Sequence, residues 1–134
     1  MIRTLCSECK KKIKPNKEIK EMILKEIAEL QLNIKEKIKI PEPLEIYTAQ
    51  GCKKCGQLGF LGRIALFEVL SMSGELAEII LKDPSETKII QEANRQGMIT
   101  MKQDGIRKVL EGVTTIEEVL RVAEEIQSET KIKK

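Results

Sequence analysis

The sequence predicts an α+β fold that is mostly α, in which a small antiparallel β-hairpin is tied by four cysteines and packs beside a bundle of about four to five helices. Three observations predict this fold. The cysteines of the 134-residue chain fall in two C-x2-C pairs, Cys6 with Cys9 and Cys52 with Cys55. β-rich segments flank the second pair, and apolar residues recur at helical spacing both before it and throughout the second half of the chain.

The two cysteine pairs are typical of a structural zinc site. Each C-x2-C turn presents two thiolates on the same side, and two such turns complete the tetrahedral cage that Zn²⁺ prefers. Lysines beside each pair can offset the negative charge of a zinc tetrathiolate: Lys10 and Lys11, then Lys53 and Lys54. We therefore predict Zn²⁺ as a structural cofactor and the following residues as its ligands: Cys6, Cys9, Cys52 and Cys55.

Two other interpretations of the cysteines stay open. A redox-active dithiol is expected in an oxidoreductase with a βαβ pattern, and the sequence shows no such pattern. Unligated buried thiols would have no reason to recur in pairs. Because the chain contains no histidine, a closed four-cysteine site leaves no position for a catalytic water, and we predict no catalytic residue.

Composition argues against nucleic-acid binding. The chain has 24 Lys and Arg against 21 Asp and Glu, a net charge of +3, and only 2% aromatic residues. A nucleic-acid-binding zinc module, the alternative function that two cysteine knuckles suggest, usually carries a basic stripe and aromatic stacking platforms. No segment has the length of a membrane span or the core of a signal peptide, so we expect a cytoplasmic protein.

The first half of the chain is predicted to contain one helix and two strands. No element is predicted before Cys6. Asn16 is placed to cap a helix whose apolar residues recur at helical spacing: Ile19, Met22, Ile23, Ile27 and Leu30. Residues 44–49 alternate with period two and residues 63–70 are β-rich, so we predict them as the two strands of a hairpin around the second cysteine pair.

Three glycines between the second cysteine pair and the second predicted strand favour a tight return: Gly56, Gly59 and Gly62. A phosphate-binding loop is the alternative interpretation of these glycines. Their spacing matches neither the dinucleotide-binding pattern nor Walker A. We therefore predict no nucleotide site in this loop.

The second half is predicted to be helical. Residues that cap helix N-termini recur along it: Ser73, Ser85, Thr100 and Thr115. Gln103 and Glu118 stand three residues after the last two of these and complete the capping-box pattern. Gly97 ends one predicted helix and Gly112 separates the last two. From Gln127 the tail is polar, and we predict it to be disordered.

In combination, these motifs resemble the C-terminal region of the GspE/PilB-type ATPases of type II secretion and type IV pilus assembly. The resemblance is carried by R-x-L-C-x-x-C at residues 3–9, G-C-x-x-C-x-x-x-G-F-x-G-R-x-x-x-x-E-V-L at 51–70, G-M at 97–98 and D-G-x-R-K-V-L-x-G-x-T-T-x-E-E-V-L-R-V at 104–122. It covers the chain from about Arg3 to about Val122 in the order that the family has it. Each motif alone would be weak, whereas the combination is specific.

The resemblance implies a cytoplasmic hexameric motor, peripheral to the inner membrane, that couples ATP hydrolysis to the assembly of pilin or pseudopilin filaments. In that family a tetracysteine element binds Zn²⁺ and distinguishes assembly motors from retraction motors, and here the role falls on Cys6, Cys9, Cys52 and Cys55. The implied partners are neighbouring subunits of the hexamer and platform proteins of the inner membrane. Neither nucleic acid nor direct membrane insertion is expected.

The chain also departs from the family. It has no Walker A or Walker B motif and none of the acidic and histidine boxes of the family's nucleotide-binding core, so we expect part of a longer protein that does not hydrolyse ATP by itself. ATP and Mg²⁺ would bind the missing part. Gln57 stands where the family often has Gly, which is expected to affect the loop and not the ligation.

We predict three segments: a zinc-binding element with one helix and a β-hairpin at 1–71, a helical subdomain at 72–126 and a disordered tail at 127–134. Exposed Arg107, Lys108 and Arg121 are candidates for docking the membrane platform. A DnaJ-type chaperone zinc module is a further alternative, but that family needs four repeats where this chain has one. The sequence does not say whether the parent motor serves secretion, piliation or DNA uptake.

Overall fold

A computed structural model of the protein describes residues 1–123, apart from the side chains of residues 32 and 33. The α+β, mostly α fold class is confirmed. The elements in chain order are β1 (Ile2–Leu5), β2 (Lys11–Ile13), α1 (Lys17–Ala28), α2 (Leu32–Lys35), β3 (Ile46–Thr48), β4 (Phe60–Ile64), α3 (Gly74–Lys82), α4 (Glu86–Gln96), α5 (Met101–Leu110) and α6, which begins at residue 116 and is described to residue 123.

The strands form two separate antiparallel pairs. β1 pairs with β4, with Ile2 opposite Ile64, and β2 pairs with β3, with Ile13 opposite Ile46. The prediction that the two strands around the second cysteine pair form one hairpin is therefore wrong. Each of them pairs instead with a strand from the first 13 residues, because β1 and β2 supply the hydrogen-bonding edges that β4 and β3 need.

The second predicted strand also lies in a different place. β4 ends at Ile64, and residues 65–73 continue without a paired strand, although the sequence there is β-rich. The prediction that no element precedes Cys6 is wrong as well, since β1 occupies residues 2–5. Its short length and its mixed apolar and polar residues gave no periodic signal.

One buried cluster joins the strands to three of the helices. Its residues come from β1, α1, β3, α5, α6 and the segment before β3: Ile2, Ile23, Ile27, Leu44, Ile46, Ile106, Val109, Ile116 and Val119. Burial of each such side chain contributes about 1.5–3 kcal/mol. The strands that flank the cysteine turns therefore share a core with the C-terminal helices.

The predicted helix boundaries are confirmed at their caps. The Asn16 side chain accepts a hydrogen bond from the Ile19 N–H at 2.8 Å, and Thr100 and Gln103 form a reciprocal capping box. Gly97 ends α4 with φ 74°, the left-handed conformation that glycine adopts without strain. The cap pattern thus located most helix starts directly from sequence.

The predicted capping box at Thr115 is only half formed. The Thr115 hydroxyl accepts a hydrogen bond from the Glu118 N–H at 3.4 Å. The Glu118 carboxylate does not close the box, because it accepts hydrogen bonds from the Arg3 N–H and the Arg3 guanidinium instead. A residue predicted to act locally thus makes a contact across 115 positions of the chain.

The α3–α4 pair, residues 73–97, stands apart from this core. The buried cluster contains no residue of α3 or α4, and within the pair Leu76 and Ala93 are buried. Its polar centre is Glu92, which accepts a hydrogen bond from the Ser73 hydroxyl at 2.8 Å and from the Arg95 guanidinium at 2.6 Å. Local caps and polar contacts hold this pair together.

Two predictions are not tested by these elements. The predicted tail at 127–134 lies outside the described residues, and the boundary between a zinc element and a helical subdomain at residues 71 and 72 stays a prediction. Over residues 1–123, no helix is both long enough and apolar enough to cross a membrane.

Candidate metal centre

The first cysteine pair lies in the turn between β1 and β2. Within that turn the N–H groups of Cys9 and Lys10 both donate to the Cys6 carbonyl, at 3.3 Å and 3.0 Å. The Cys6 N–H donates to the Gly59 carbonyl at 3.0 Å, which extends the β1–β4 pairing by one bond. The pairing of β1 with β4 thus places the first cysteine turn next to the second.

The second cysteine pair lies between β3 and β4. Residues Lys53–Cys55 form a single 3-10 turn, and the Gln57 N–H donates to the Cys52 carbonyl at 2.9 Å. The Cys55 sulfur accepts hydrogen bonds from the N–H groups of Cys52 and Gly59, both at 3.2 Å. Such N–H donors stabilise a thiolate and orient it before any ion binds.

All four predicted ligands are brought together, with every pair of Sγ atoms within 4.8 Å. The Cys6–Cys52, Cys9–Cys55 and Cys52–Cys55 sulfur pairs are 3.9 Å, 3.8 Å and 3.7 Å apart. A tetrahedral site with Zn–S bonds of about 2.3 Å has sulfurs about 3.8 Å apart. A disulfide would need about 2.0 Å, and the four thiols are free.

The residues therefore fit a tetrahedral thiophilic ion. Cys6 and Cys55 are buried while Cys9 and Cys52 are half-buried. The four sulfurs are therefore partly shielded from solvent by the protein. Among residues 1–123 this is the one group of three or more candidate ligands that lies close enough to hold a metal ion. Four thiolates suit Zn²⁺ and also iron, so the donor set restricts the metal without naming it.

The thiols of Cys55 and Cys9 differ in how readily they lose a proton. Burial acts to raise the pKa of Cys55, but the N–H groups of Cys52 and Gly59 and the neighbouring thiols outweigh it and lower the pKa to about 6. Burial raises the pKa of Cys9 to about 12, with the neighbouring thiols adding to it and a main-chain hydrogen bond from Gly51 opposing it. Metal binding must displace the remaining protons, so affinity falls as pH is lowered.

The lysines beside the cysteines have unequal roles. Lys54 forms a 2.9 Å ion pair with Glu8 and so joins the two cysteine turns at the surface. Glu8 is the main cause of the raised pKa of Lys54, and the Cys6 and Cys52 sulfurs add to it. Lys10 instead donates to the Gly112 carbonyl at 2.8 Å and lies 4.8 Å from the centre of the Tyr47 ring. Lys54 therefore joins the two cysteine turns, whereas Lys10 contacts the loop before α6.

Backbone conformation in the second turn explains part of the glycine pattern. A Cβ added at Gly59 would lie 2.5 Å from the Ala49 Cβ, so only glycine fits between β3 and the turn. Gln57, where the resembling family often has Gly, adopts φ 66°. The departure is accommodated at the cost of a left-handed backbone, and the sulfur arrangement is retained.

The contacts between β1, which precedes the first cysteine turn, and the region around α6 were not predicted from the sequence. Glu118 of α6 binds the Arg3 guanidinium at 2.6 Å and the Arg3 N–H at 2.9 Å, and Thr114 donates to the Arg3 carbonyl at 2.8 Å. The Leu5 N–H donates to the Val113 carbonyl at 2.8 Å. The hydrogen bonds from Arg3 are the main cause of a Glu118 pKa lowered to about 2.

Lys108 is a correction to the predicted docking surface. It was predicted to be exposed, but it is buried at 5% relative exposure. The reason is its ion pair with Asp104, one helical turn earlier on the core-facing side of α5. Arg107 and Arg121 are exposed, as predicted.

The proteins to which the chain is similar are named as components of type II secretion or type IV pilus assembly. The chain is 35% identical over 120 residues to the type IV pilus assembly ATPase PilB of Thermus thermophilus, covering 90% of this chain and 12% of that protein. It is 33% identical over 125 residues to the type II secretion system ATPase E of Vibrio cholerae, covering 93% and 22%. With the type II secretion system protein E of Xanthomonas campestris it shares 46% identity over 67 residues, covering 50% and 12%.

The chain thus spans between 12% and 22% of the length of these relatives. The family model described as type II/IV secretion system protein matches residues 1–121. That match includes the four cysteines, both sheets and the helices as far as α6. Since it covers most of the sequence, the chain belongs to the type II/IV secretion system protein family.

Proposed function

We propose that the chain is a non-catalytic, zinc-binding structural and interaction module from the C-terminal region of an ATPase that powers type II secretion or type IV pilus assembly. The observation that carries the proposal is the sulfur cage, whose 3.7–3.9 Å spacings match tetrahedral thiolate coordination, in a chain of this family. The names of the relatives support the assignment to secretion or pilus assembly.

The proposed role of the metal is to clamp the chain. Cys6 and Cys9 would hold it from the β1–β2 turn, and Cys52 and Cys55 from the turn before β4. When bound, Zn²⁺ supplies four strong metal–thiolate bonds and no open position for water. Structural zinc in small sites has apparent binding free energies of about 10–16 kcal/mol, comparable with the whole stability of a domain.

The clamp is connected to the helical part through β1. Arg3 lies three residues before Cys6 and binds Glu118 of α6, while Leu5 binds the loop before α6 at Val113. We propose that residues 1–71 act as the zinc element and 72–126 as the helical subdomain, with this contact as the rigid link. A shift of the cysteine turns would then be passed directly to the last helix.

Catalysis and partners belong to the longer protein. The chain carries no Walker motif, so we propose that ATP and Mg²⁺ bind elsewhere in the parent motor and that this module does not hydrolyse ATP alone. Neighbouring subunits of a hexamer and platform proteins of the inner membrane are the proposed partners. The exposed Arg107 and Arg121 are the candidate docking residues.

Metal content measured by elemental analysis tests the proposal. Protein purified untagged under reducing conditions is expected to contain about one zinc per chain, and its thiols should react with a thiol reagent only after chelation. Iron in place of zinc would contradict the metal identity alone. Metal-free protein with four reactive thiols and unchanged folding would contradict the clamp.

A further inference from the structure

Residues 65–72 follow β4 without a paired strand, and between residues 66 and 70 some apolar side chains are half-buried and others are exposed. Leu66 packs against the buried core, whereas Phe67 and Val69 are 62% and 69% exposed. Phe67 is one of only three aromatic residues in the chain. An exposed Phe and Val with the period-two spacing of a strand mark a surface that favours contact with another chain.

These side chains form one wall of a groove, the Phe67 groove, with a volume of about 350 Å³. Phe67, Val69 and Ser71 lie on one side, and the other side is formed by Gly97, Met98 and Ile99 after α4, with Arg107 of α5 at the groove as well. The lining combines apolar side chains with the amide of Gln96 and with the exposed guanidinium of Arg107, which is paired with the Asp104 carboxylate. A groove of this kind accommodates one or two side chains of an extended peptide.

Two hydrogen bonds fix the direction of the segment. The Phe67 N–H donates to Asp104 Oδ2 at 3.0 Å, and the Gln96 side-chain amide donates to the Ser71 carbonyl at 3.0 Å. The Phe67 end therefore adjoins the Asp104 carboxylate, and at the Ser71 end the Gln96 amide also donates to Glu92, which is paired with Arg95. Within residues 1–123 the main-chain N–H groups of Glu68 and Leu70 have no hydrogen-bond acceptor, so the segment has a free edge.

Around the Phe67 end of the groove, cationic side chains outnumber carboxylates. Arg107 also lines an adjoining groove together with Lys37, Lys39 and Glu111. Arg107 binds Asp104 and Glu111, but Asp104 is already paired with the buried Lys108. Neither Lys37 nor Lys39 forms an ion pair with any other described residue. The joined surface therefore has an excess of positive charge beside the apolar wall.

We propose that the Phe67 groove binds an extended peptide segment of a partner protein in which alternating apolar residues are followed by acidic residues. The apolar side chains would pack on Phe67 and Val69, and the acidic residues would meet Arg107, Lys37 and Lys39. A second copy of this chain fits less well, because a two-fold antiparallel arrangement would place each cationic end against the Ser71 end, where the Glu92 carboxylate is already paired with Arg95. The proposal uses none of the cysteines.

The test is fluorescence anisotropy with the full chain and a labelled eight-residue peptide in which Leu and Ser alternate over five positions and three Asp follow. We expect saturable binding that weakens as salt is raised. Phe67→Ser should raise Kd at least about tenfold, and Arg107→Gln should raise it about threefold and reduce the salt dependence. Leu81→Ser is the matched control, since Leu81 is an exposed apolar residue on α3 outside the groove.

Three outcomes of the peptide-binding experiment would overturn the proposal. They are the absence of saturable binding up to about 1 mM peptide, an equal effect of Phe67→Ser and Leu81→Ser, and unchanged affinity when the three Asp are replaced by Lys. If Phe67→Ser fails to fold, Val69→Ser provides the same comparison. Self-association of the chain that Phe67→Ser abolishes, without peptide binding, would identify a second copy as the occupant and would also overturn it.

Discussion

The core region, which consists of β1–β4, α1, α5 and α6, and the α3–α4 pair are held together in different ways. In the core region the decisive contacts are distant in sequence, such as the sulfur cage that joins positions 46 apart and the Arg3–Glu118 contact across 115 positions. In the α3–α4 pair they are closer in sequence: the Ser73 and Ser85 caps each span three positions, and the Ser73–Glu92 hydrogen bond spans 19. The difference separates a region that depends on tertiary closure from one that depends on helix propensity and caps.

Metal removal should separate the two regions most strongly. Chelation or Cys55→Ser is expected to expose the amides of β1 and β4 to exchange, since the proposed metal stabilises the fold by about 10–16 kcal/mol. The amides of α3 and α4 should change less, because no cysteine and no residue of the buried cluster lies in these helices. Hydrogen exchange followed by mass spectrometry, peptide by peptide, measures both.

The control for this experiment is Ser7→Ala, which alters an exposed residue between two proposed ligands without removing a sulfur. Equal loss of protection in β1 and α4 after chelation would show that the two regions unfold as one unit. The core region and the α3–α4 pair would then not differ in what stabilises them.

Glu118→Gln is expected to destabilise the core region by about 1.5–3 kcal/mol, because a buried carboxylate would lose its charge-assisted bonds to Arg3 and Arg121. Urea denaturation measures the change. Glu117→Gln, at an exposed neighbour on the same helix, is the matched control and should be nearly neutral. Equal effects of the two substitutions would contradict the role given to Glu118.

The same carboxylate gives a pH dependence. The folded-state pKa of Glu118 is lowered to about 2 by its hydrogen bonds with Arg3, below the ordinary value of about 4.3. Its contribution to stability is therefore complete above about pH 4.5 and is lost as pH falls toward 2. Glu118→Gln should flatten the decline in stability over that window, measured by denaturation at each pH, and an unchanged slope would contradict the assignment.

Two glycines allow a matched test of packing in the two regions. A Cβ at Gly105 of α5 would lie 2.4 Å from Val119 Cγ1, whereas nothing lies within 4 Å of a Cβ at Gly74 of α3. Gly105→Ala is expected to destabilise by about 1–3 kcal/mol through overpacking. Gly74→Ala should be neutral or stabilise by up to about 1 kcal/mol. Thermal denaturation of the two variants distinguishes them, and the opposite order would contradict the described α5–α6 contact.

The smallest expected effect is at the second cysteine turn. Gln57→Gly should relieve the left-handed strain of φ 66°, worth about 1–2 kcal/mol, but should also increase the entropy of the unfolded chain. We expect a net stabilisation below about 1 kcal/mol, measured on metal-loaded protein by chemical denaturation. Lys53→Gly, in the same turn, should destabilise instead. A clear loss of stability in Gln57→Gly would show that the Gln57 side chain itself is needed.

Much of the α3–α4 pair and of the helix starts was predictable, because the signals are local. Asn16, Ser73, Ser85 and Thr100 accept the cap hydrogen bonds that their positions predicted, and Gly97 ends α4. A cap requires only its own helix to form. The pairing of the strands was mispredicted because the partner of a strand is chosen by distant residues.

The contacts of Glu118 show the same difference between local and long-range signals. The T-x-x-E pattern at residues 115–118 predicted a capping box, and the cap bond to Thr115 formed. The Glu118 carboxylate binds Arg3 instead, because the guanidinium and the main-chain N–H of Arg3 in β1 together offer stronger, charge-assisted bonds than the single N–H of a capping box. Lys108 likewise is buried and paired with Asp104 rather than exposed, because α5 packs against the core.

By itself, the sequence determined the four candidate ligands, the α+β class, the family resemblance and the starts of most helices, since spacing and caps are properties of short segments. Only the tertiary structure decided that β1 and β2 form. β1 pairs with β4 and β2 pairs with β3, so that β3 and β4 belong to different sheets. This pairing brings the four sulfurs within 4.8 Å of one another. Long-range closure decided these features, because a strand is stable only when another segment satisfies its main-chain hydrogen bonds.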